Sequence, residues 1–375
     1  MNLSFPAEMM QGLRPSSANG VAAAETVDRV KVLPPQHIVG QEMAVRLLVA
    51  ALEKERVTSS YCFLGPQGVG RKLMARWFAQ ALLCEASSGI PCGKCSNCHW
   101  LLAGNHPDLH WVSPTYLHQG RLIAADSPEA QTLQRRLPPQ IRLEQVQRVS
   151  RFCARKPICA QRKGSTPLSR AVVVLEGAET LAESAANALL KTLEEPGPAH
   201  ILLIAPQAAS LLPTLLSRCQ MVPFRRLSPE EVDRVLSGLG CPDLAGIPRS
   251  ELIALAQGSP GLALLAHQHL QQIPPSLLEE LKRWPWHSSL QQALELGRAV
   301  AGLELPAQLW LIDYLQQHFW LQGSRQPFPS GVRSAIQQLE RIRQQLLQSV
   351  QPRLCWEVNL AHRGLCPAST NSLGE

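Results

Sequence analysis

No stretch of about 18 consecutive apolar residues, the minimum for a membrane-spanning helix, occurs in the 375-residue chain, so no membrane partner is expected. Residues 1–30 lack the basic start and apolar core of a secretory signal, and they lack the arginine bias of a transit peptide. The expected location is therefore the cytoplasm. Also missing is any segment that concentrates Lys and Arg among aromatics, so the formal charge of +7 does not assign a nucleic-acid partner and suits a solvated surface. No internal repeat of fixed period is present, which excludes a solenoid.

What is present describes a globular protein. At 45% hydrophobic and 17% charged, 375 residues suffice for two or three domains with their own cores. Eleven cysteines would suggest disulfides in a small secreted chain, but four of them crowd into residues 84–98 of a long one. That crowding favours metal over disulfide.

Residues 1–32 mix Ser, Ala, Gly and Met without periodicity and read as a disordered tail. Ala44, Leu47, Leu48, Ala51 and Leu52 then recur at helical spacing, residues 61–64 form a short apolar strand, and residues 73–83 form a second helix. Residues 171–175 and 201–205 read as further buried strands, the first after a Gly-Ser-Thr-Pro loop. Strands separated by helices imply a mainly parallel, helix-covered sheet. After Phe224 the pattern turns helical, with Ser228-Pro229-Glu230-Glu231 as a helix start and Pro274-Pro275 as a second boundary. Val332, Ile336, Leu339, Ile342, Leu346 and Val350 continue a long helical period.

Between the first strand and the second helix lies Gly65-Pro66-Gln67-Gly68-Val69-Gly70-Arg71-Lys72. In the pattern G-x-x-x-x-G-K-[ST], glycines let backbone N–H groups wrap phosphates, Lys reaches the outer phosphates and the final hydroxyl ligates Mg²⁺. Gly65, Gly68 and Gly70 keep the scaffold, but Arg71 stands in the Lys position and Lys72 in the Ser or Thr position. A planar guanidinium does not replace a compact ammonium in a tight cradle, and an ammonium cannot ligate a metal. ATP is therefore doubtful as a ligand of this loop, and binding without hydrolysis stays open.

Cys84, Cys92, Cys95 and Cys98 form C-x7-C-x2-C-x2-C. Four thiolates with no open position suit a tetrahedral structural zinc, whereas a redox pair gains nothing from a third and fourth Cys. His99, His106 and His110 are surplus to such a site.

Taken together, Val39-Gly40-Gln41, the glycine loop, the four cysteines, Asn105-His106-Pro107-Asp108, the run Asn187-Ala188-Leu189-Leu190-Lys191-Thr192-Leu193-Glu194-Glu195-Pro196 and Ser217-Arg218-Cys219 resemble the clamp-loader subunits of bacterial DNA polymerase III, the delta prime type above all. The resemblance is dense over about residues 33–225 and looser through Gly258-Ser259-Pro260-Gly261 to Trp356-Glu357. It implies an α/β P-loop AAA+ domain (33–226) with a zinc-binding insertion near 84–98, a small helical lid (227–272) and an all-α collar (273–375) that joins subunits in a ring. The implied partners are the gamma/tau and delta subunits, and through the complex the sliding clamp and primed DNA.

The departures matter as much as the matches. Active ATPases of this family end a strand in Asp-Glu, the Asp managing Mg²⁺ and the Glu polarising water; here the strand runs into Glu176-Gly177. Where active members carry polar sensor residues this chain has Ala205-Pro206, and the lid's sensor arginine falls at Gly261. Phosphoryl transfer depends on such placed charges. The resemblance thus implies a subunit of the polymerase holoenzyme that is neither polymerase nor working ATPase, with Arg218 as an arginine finger acting in trans on a neighbour's ATP. Lys191, Glu194 and Glu195 read as fold or interface residues. Two alternatives stand beside this reading: an ATP-hydrolysing gamma/tau-type motor subunit, and a zinc-bearing DNA-binding module outside clamp loading.

Overall fold

The computed structural model describes residues 38–86, 90–125, 127–131, 138–159, 170–241, 248–284, 289–323, 330–348 and 350–361. The expected tail 1–32, the first residues of the expected P-loop domain and the Gly-Ser-Thr-Pro loop lie outside the described residues.

The strands are β1 Ser60–Leu64, β2 Leu109–Val112, β3 Thr115–His118, β4 Arg121–Ala124, β5 Ala171–Glu176, β6 Ala199–Ala205 and β7 Gln220–Pro223. Five of them form one sheet in the order β2-β5-β6-β1-β7, and every pairing in it is parallel. β3 and β4 make a separate antiparallel hairpin, turned by Gln119 and Gly120 at φ 49° and 77°.

Successive side chains of a strand point to opposite faces, and both faces of this sheet are buried. Val172, Val174, Leu202 and Ile204 pack in one layer with the helices Glu42–Glu53 and Arg71–Leu83. Val173, Leu175, Ile201 and Leu203 pack in the other with the helices Leu143–Ala154 and Glu183–Glu194. Covering on both faces is why β1, β5 and β6 read as unbroken apolar runs. The edge strands β2 and β7 carry no such run: β7 exposes Gln220, Met221 and Pro223, so neither announces itself in the sequence.

Beyond Phe224 the described chain is helical: Pro229–Gly238, Arg249–Ala256, Pro260–Gln272, Pro275–Arg283, Leu290–Ala301, Leu305–Gly323, Ser330–Leu347 and Pro352–Ala361. The first opens with a capping box. Ser228 Oγ accepts from the Glu231 N–H (3.3 Å) and the Glu231 carboxylate accepts from the Ser228 N–H (2.8 Å). Arg225 pairs with the same carboxylate and, with the Ser228 N–H, holds its pKa down at about 2.

These helices continue the core of the sheet rather than forming an isolated bundle. One apolar cluster runs from Phe63 and Met74 through Leu252, Leu270 and Leu281 to Leu339 and Trp356. Tyr314 donates to Glu251 Oε1 (2.7 Å) and Lys282 Nζ lies 3.5 Å from the same oxygen, tying the helices Arg249–Ala256 and Leu305–Gly323 together. Most C-terminal aromatics are spent internally: Tyr314, Phe319 and Trp356 are buried, and the Trp356 indole N–H donates to Gln308 Oε1 (2.8 Å). Trp320 is 62% exposed. Cutting the chain after Gln272 would remove Ile273 and strip Leu270 of part of the apolar cluster it belongs to, so the sheet and the helices after it share their stability with the C-terminal region.

Gln41 is a buried joint of this architecture. Its amide N–H groups donate to the carbonyls of Val69 (3.2 Å) and Arg225 (2.8 Å), and its Oε1 accepts from the Arg225 N–H (3.1 Å). Gln41→Leu leaves those backbone groups unpaired inside the protein and is expected to lower unfolding stability by about 1–3 kcal/mol, read from the urea midpoint. An unchanged midpoint would contradict the bridging role.

Candidate functional site

The glycine loop sits where β1, at the C-terminal edge of the parallel sheet, gives way to the helix Arg71–Leu83. Open α/β sheets hold ligands at that edge. Gly68 (φ 76°) and Gly70 (φ 100°) adopt the left-handed conformation that makes the turn. The loop is, however, covered from above. The Gly261 N–H donates to the Gly68 carbonyl oxygen (2.9 Å), and the Ser259 hydroxyl donates to the Gln67 carbonyl oxygen (2.7 Å). A Cβ on Gly68 would lie 2.3 Å from Ser259 Oγ, and one on Gly261 would lie 2.7 Å from Gly68 Cα. Both glycines therefore serve the docking of the helix Pro260–Gln272 on the loop.

Lys72 and Glu176 meet beside it. Lys72 Nζ lies 3.1 Å from Glu176 Oε2, and the Trp111 indole N–H donates to that same oxygen (3.0 Å). The Trp111 ring also faces Lys72 Nζ at 6.0 Å and the Arg76 guanidinium at 5.5 Å. The carboxylate at the end of β5 is thus already neutralised by an ammonium of the chain itself. Arg71 is half-buried: burial lowers its pKa, while Glu179 and Glu176 pull it back up.

Gly177 follows with φ 69°, and a Cβ there would lie 2.9 Å from Pro114 Cγ. The turn after β5 is built around the missing side chain, so a carboxylate here would meet both backbone strain and a clash. At the end of β6, Ala205 offers only its carbonyl, which accepts from the Gly65 N–H (3.4 Å).

The helix Arg71–Leu83 leads directly into Cys84. Cys95 caps the helix Ser96–Leu102, its sulfur accepting from the Cys98 N–H (3.4 Å), which is how the short spacing turns Cys95 and Cys98 toward one point. The sulfurs of Cys84, Cys92, Cys95 and Cys98 all lie within 4.8 Å of one another, with Cys84 and Cys95 4.0 Å apart. Tetrahedral ligation at ~2.3 Å places sulfurs ~3.8 Å apart, so this group can hold one metal ion. Further backbone N–H groups point at sulfur: Ala86 and Cys92 at Cys84 (3.4 and 3.3 Å), and Lys94 at Cys92 (3.5 Å). The Lys94 N–H is the main cause that brings the Cys92 thiol down to about 6, whereas burial raises Cys84 and Cys98.

The four sulfurs group without any of the neighbouring histidines among the described residues. His99 is exposed, His106 Nδ1 accepts from the Asp108 N–H (3.0 Å), and His110 stacks on Phe152 at 5.3 Å. Asp108 is 1% exposed; its carboxylate accepts from the N–H groups of Ile158 (2.9 Å) and Cys159 (2.7 Å), fixing the chain after the helix Leu143–Ala154.

Arg218 shares no contact with the glycine loop or the cysteines among the described hydrogen bonds. It follows the short helix Pro213–Leu216 and is held by Glu194, whose Oε1 accepts from Nε (3.0 Å) and Nη2 (2.5 Å). Nη1 donates to the Thr214 carbonyl oxygen (2.9 Å) and reaches Ser217 Oγ (3.4 Å). Trp111, the contact of Ser259 with the glycine loop and the pairing of Glu194 with Arg218 escaped the sequence reading, because each acts across a contact between distant segments.

The family model described as "DNA polymerase III, delta subunit" matches residues 40–228, and the one described as "Cyanobacterial DNA polymerase III delta prime, C-terminal domain" matches residues 230–363. DNA polymerase III subunit delta′ of Pseudomonas aeruginosa is 35% identical over 232 residues, 60% of this chain and 60% of that protein. The delta′ subunit of Haemophilus influenzae is 32% identical over 259 residues, 68% of this chain and 65% of that protein. The chain therefore spans under two thirds of the length of these curated relatives. A gamma subunit-related protein of DNA polymerase III from Thermotoga maritima superimposes with a TM-score of 0.43 at 16% identity, covering 85% of this chain and 98% of that one. With matching family models over nearly all of its described length, the chain belongs to the DNA polymerase III delta prime subunit family.

Proposed function

We propose that this chain acts as the delta prime-type subunit of a DNA polymerase III clamp loader, lending a rigid wall and an arginine finger to an ATP-hydrolysing neighbour. In that role it works with gamma/tau and delta subunits in the cytoplasm, and the assembled complex places the sliding clamp on primed DNA. Residues 33–226 would form the AAA+ P-loop domain, 227–272 the lid and 273–375 the collar, a division supported by the capped helix start at Ser228.

One observation carries the non-hydrolysing part of this reading. Lys72 and Glu176, which stand where a Mg²⁺-binding hydroxyl and carboxylate would be needed, neutralise each other at 3.1 Å. Gly177 beside them offers no base to orient water. The in-trans part rests on Arg218: a guanidinium placed outside the chain's own loop, with a planar fork suited to phosphate oxygens. The four thiols would hold a structural zinc, which ties the 84–98 segment together and supplies no reaction.

The isolated chain is expected to turn over ATP no faster than a blank. Arg71→Lys with Lys72→Thr leaves turnover absent, and adding Gly177→Glu costs about 1–3 kcal/mol of stability without creating activity; robust turnover by the wild-type chain would instead indicate a motor subunit. Metal analysis of protein purified without chelator should find one zinc per chain, released with loss of local order when Cys92 and Cys95 are both changed to Ser. A folded wild-type preparation free of zinc would refute the assignment. Arg218→Ala should leave assembly intact while slowing ATP hydrolysis and clamp loading by the complex at least about tenfold, with poor rescue by Arg218→Lys, which lacks the fork. Wild-type rates with Arg218→Ala would remove the finger from the account.

A further inference from the structure

Glu194 is the charged partner of Arg218. The Nε and Nη2 edge of the guanidinium lies on one carboxylate oxygen, and Nη1 lies on the Thr214 carbonyl of its own turn. Both ends of the side chain's approach are thereby fixed, although Arg218 and Glu194 remain 35% and 52% exposed. A long side chain held on two sides has few rotamers left to lose when it meets an anion.

The position of Glu194 is also costly on local grounds. It is the last residue of the helix Glu183–Glu194, followed by Glu195 at the C-cap. A carboxylate in the last turn opposes the helix dipole, which favours cations there. Helix stability therefore does not account for Glu194, whereas its contact with Arg218 does.

We propose that Glu194 is a positioning residue for Arg218, holding the guanidinium in the orientation from which it reaches the terminal phosphate of a nucleotide on the neighbouring subunit. This rests on the reading of Arg218 as a finger acting in trans. Glu194 itself touches no nucleotide. An exposed pair of this kind is weak, so a phosphate with more charge can draw the outer N–H groups away without dismantling the turn.

The test uses the reconstituted clamp-loader complex carrying this chain as wild type, Glu194→Ala, Glu194→Gln, Arg218→Ala or the Arg218→Ala/Glu194→Ala pair, each checked for full incorporation and an unchanged unfolding midpoint. Steady-state ATP hydrolysis with clamp and primed DNA is expected to show kcat lowered by a factor of about two to five for Glu194→Ala, the range an exposed pair supports, with KM for ATP unchanged. Glu194→Gln, which keeps an acceptor oxygen, should recover most of the rate, and the double variant should equal Arg218→Ala alone, because the two residues act through one group. If Arg218→Ala slows the complex while Glu194→Ala does not, the positioning role is overturned and the finger stands. If Glu194→Ala lowers the rate further in the Arg218→Ala background, Glu194 acts independently of Arg218 and the proposal is equally overturned. If both single variants match wild type, the finger reading falls and takes the positioning role with it.

Discussion

The contact between Gly68 and Gly261 is the constraint on which the arrangement of this molecule depends. A backbone hydrogen bond of 2.9 Å joins them, and neither position has room for a Cβ. Because the helix Pro260–Gln272 rests directly on the glycine loop, the sheet, the helices after Phe224 and the C-terminal helices share one apolar core. Gln41 and Ser259 reinforce the same joint from two sides through the carbonyls of Val69, Arg225 and Gln67. A loop that elsewhere closes around phosphate is here closed by the protein.

The charges beside the loop follow the same logic. Lys72 and Glu176 are 41% and 29% exposed, so their pairing contributes on the order of 1 kcal/mol or less to stability. Its chemical consequence is larger than its energy. The ammonium engages the carboxylate at the end of β5, and the Trp111 indole N–H takes up a further lone pair of the same oxygen. The positions beside the loop are thus filled by contacts of the chain itself.

Much of this was legible in the residues, for physical reasons that differ from element to element. β1, β5 and β6 are buried on both faces and show as apolar runs; β2 and β7 lie at the edges and do not. Four thiols gather because a short spacing across a helix N-cap forces neighbours together, and that spacing is visible in the sequence. The glycines of the loop were visible too, but the sequence pattern assigns them to phosphate, and only the packing reveals that Gly68 makes room for Ser259. Likewise, Glu194 and Arg218 lie 24 residues apart. No local pattern links them, and their pairing follows only from the way the helix Glu183–Glu194 packs beside the turn before β7.

The central proposal is that this chain holds the shape of its glycine loop with its own contacts and presents Arg218 to a phosphate on a neighbouring subunit. Its most direct test is a cryo-electron microscopy structure of the assembled clamp loader with a non-hydrolysable ATP analogue. The account predicts Lys72 still paired with Glu176, Gly261 still on Gly68, no nucleotide in this chain's loop, and the Arg218 guanidinium at the terminal phosphate of the adjacent subunit. Nucleotide and Mg²⁺ seated between Gly65 and Lys72, with Arg218 facing solvent, would contradict it.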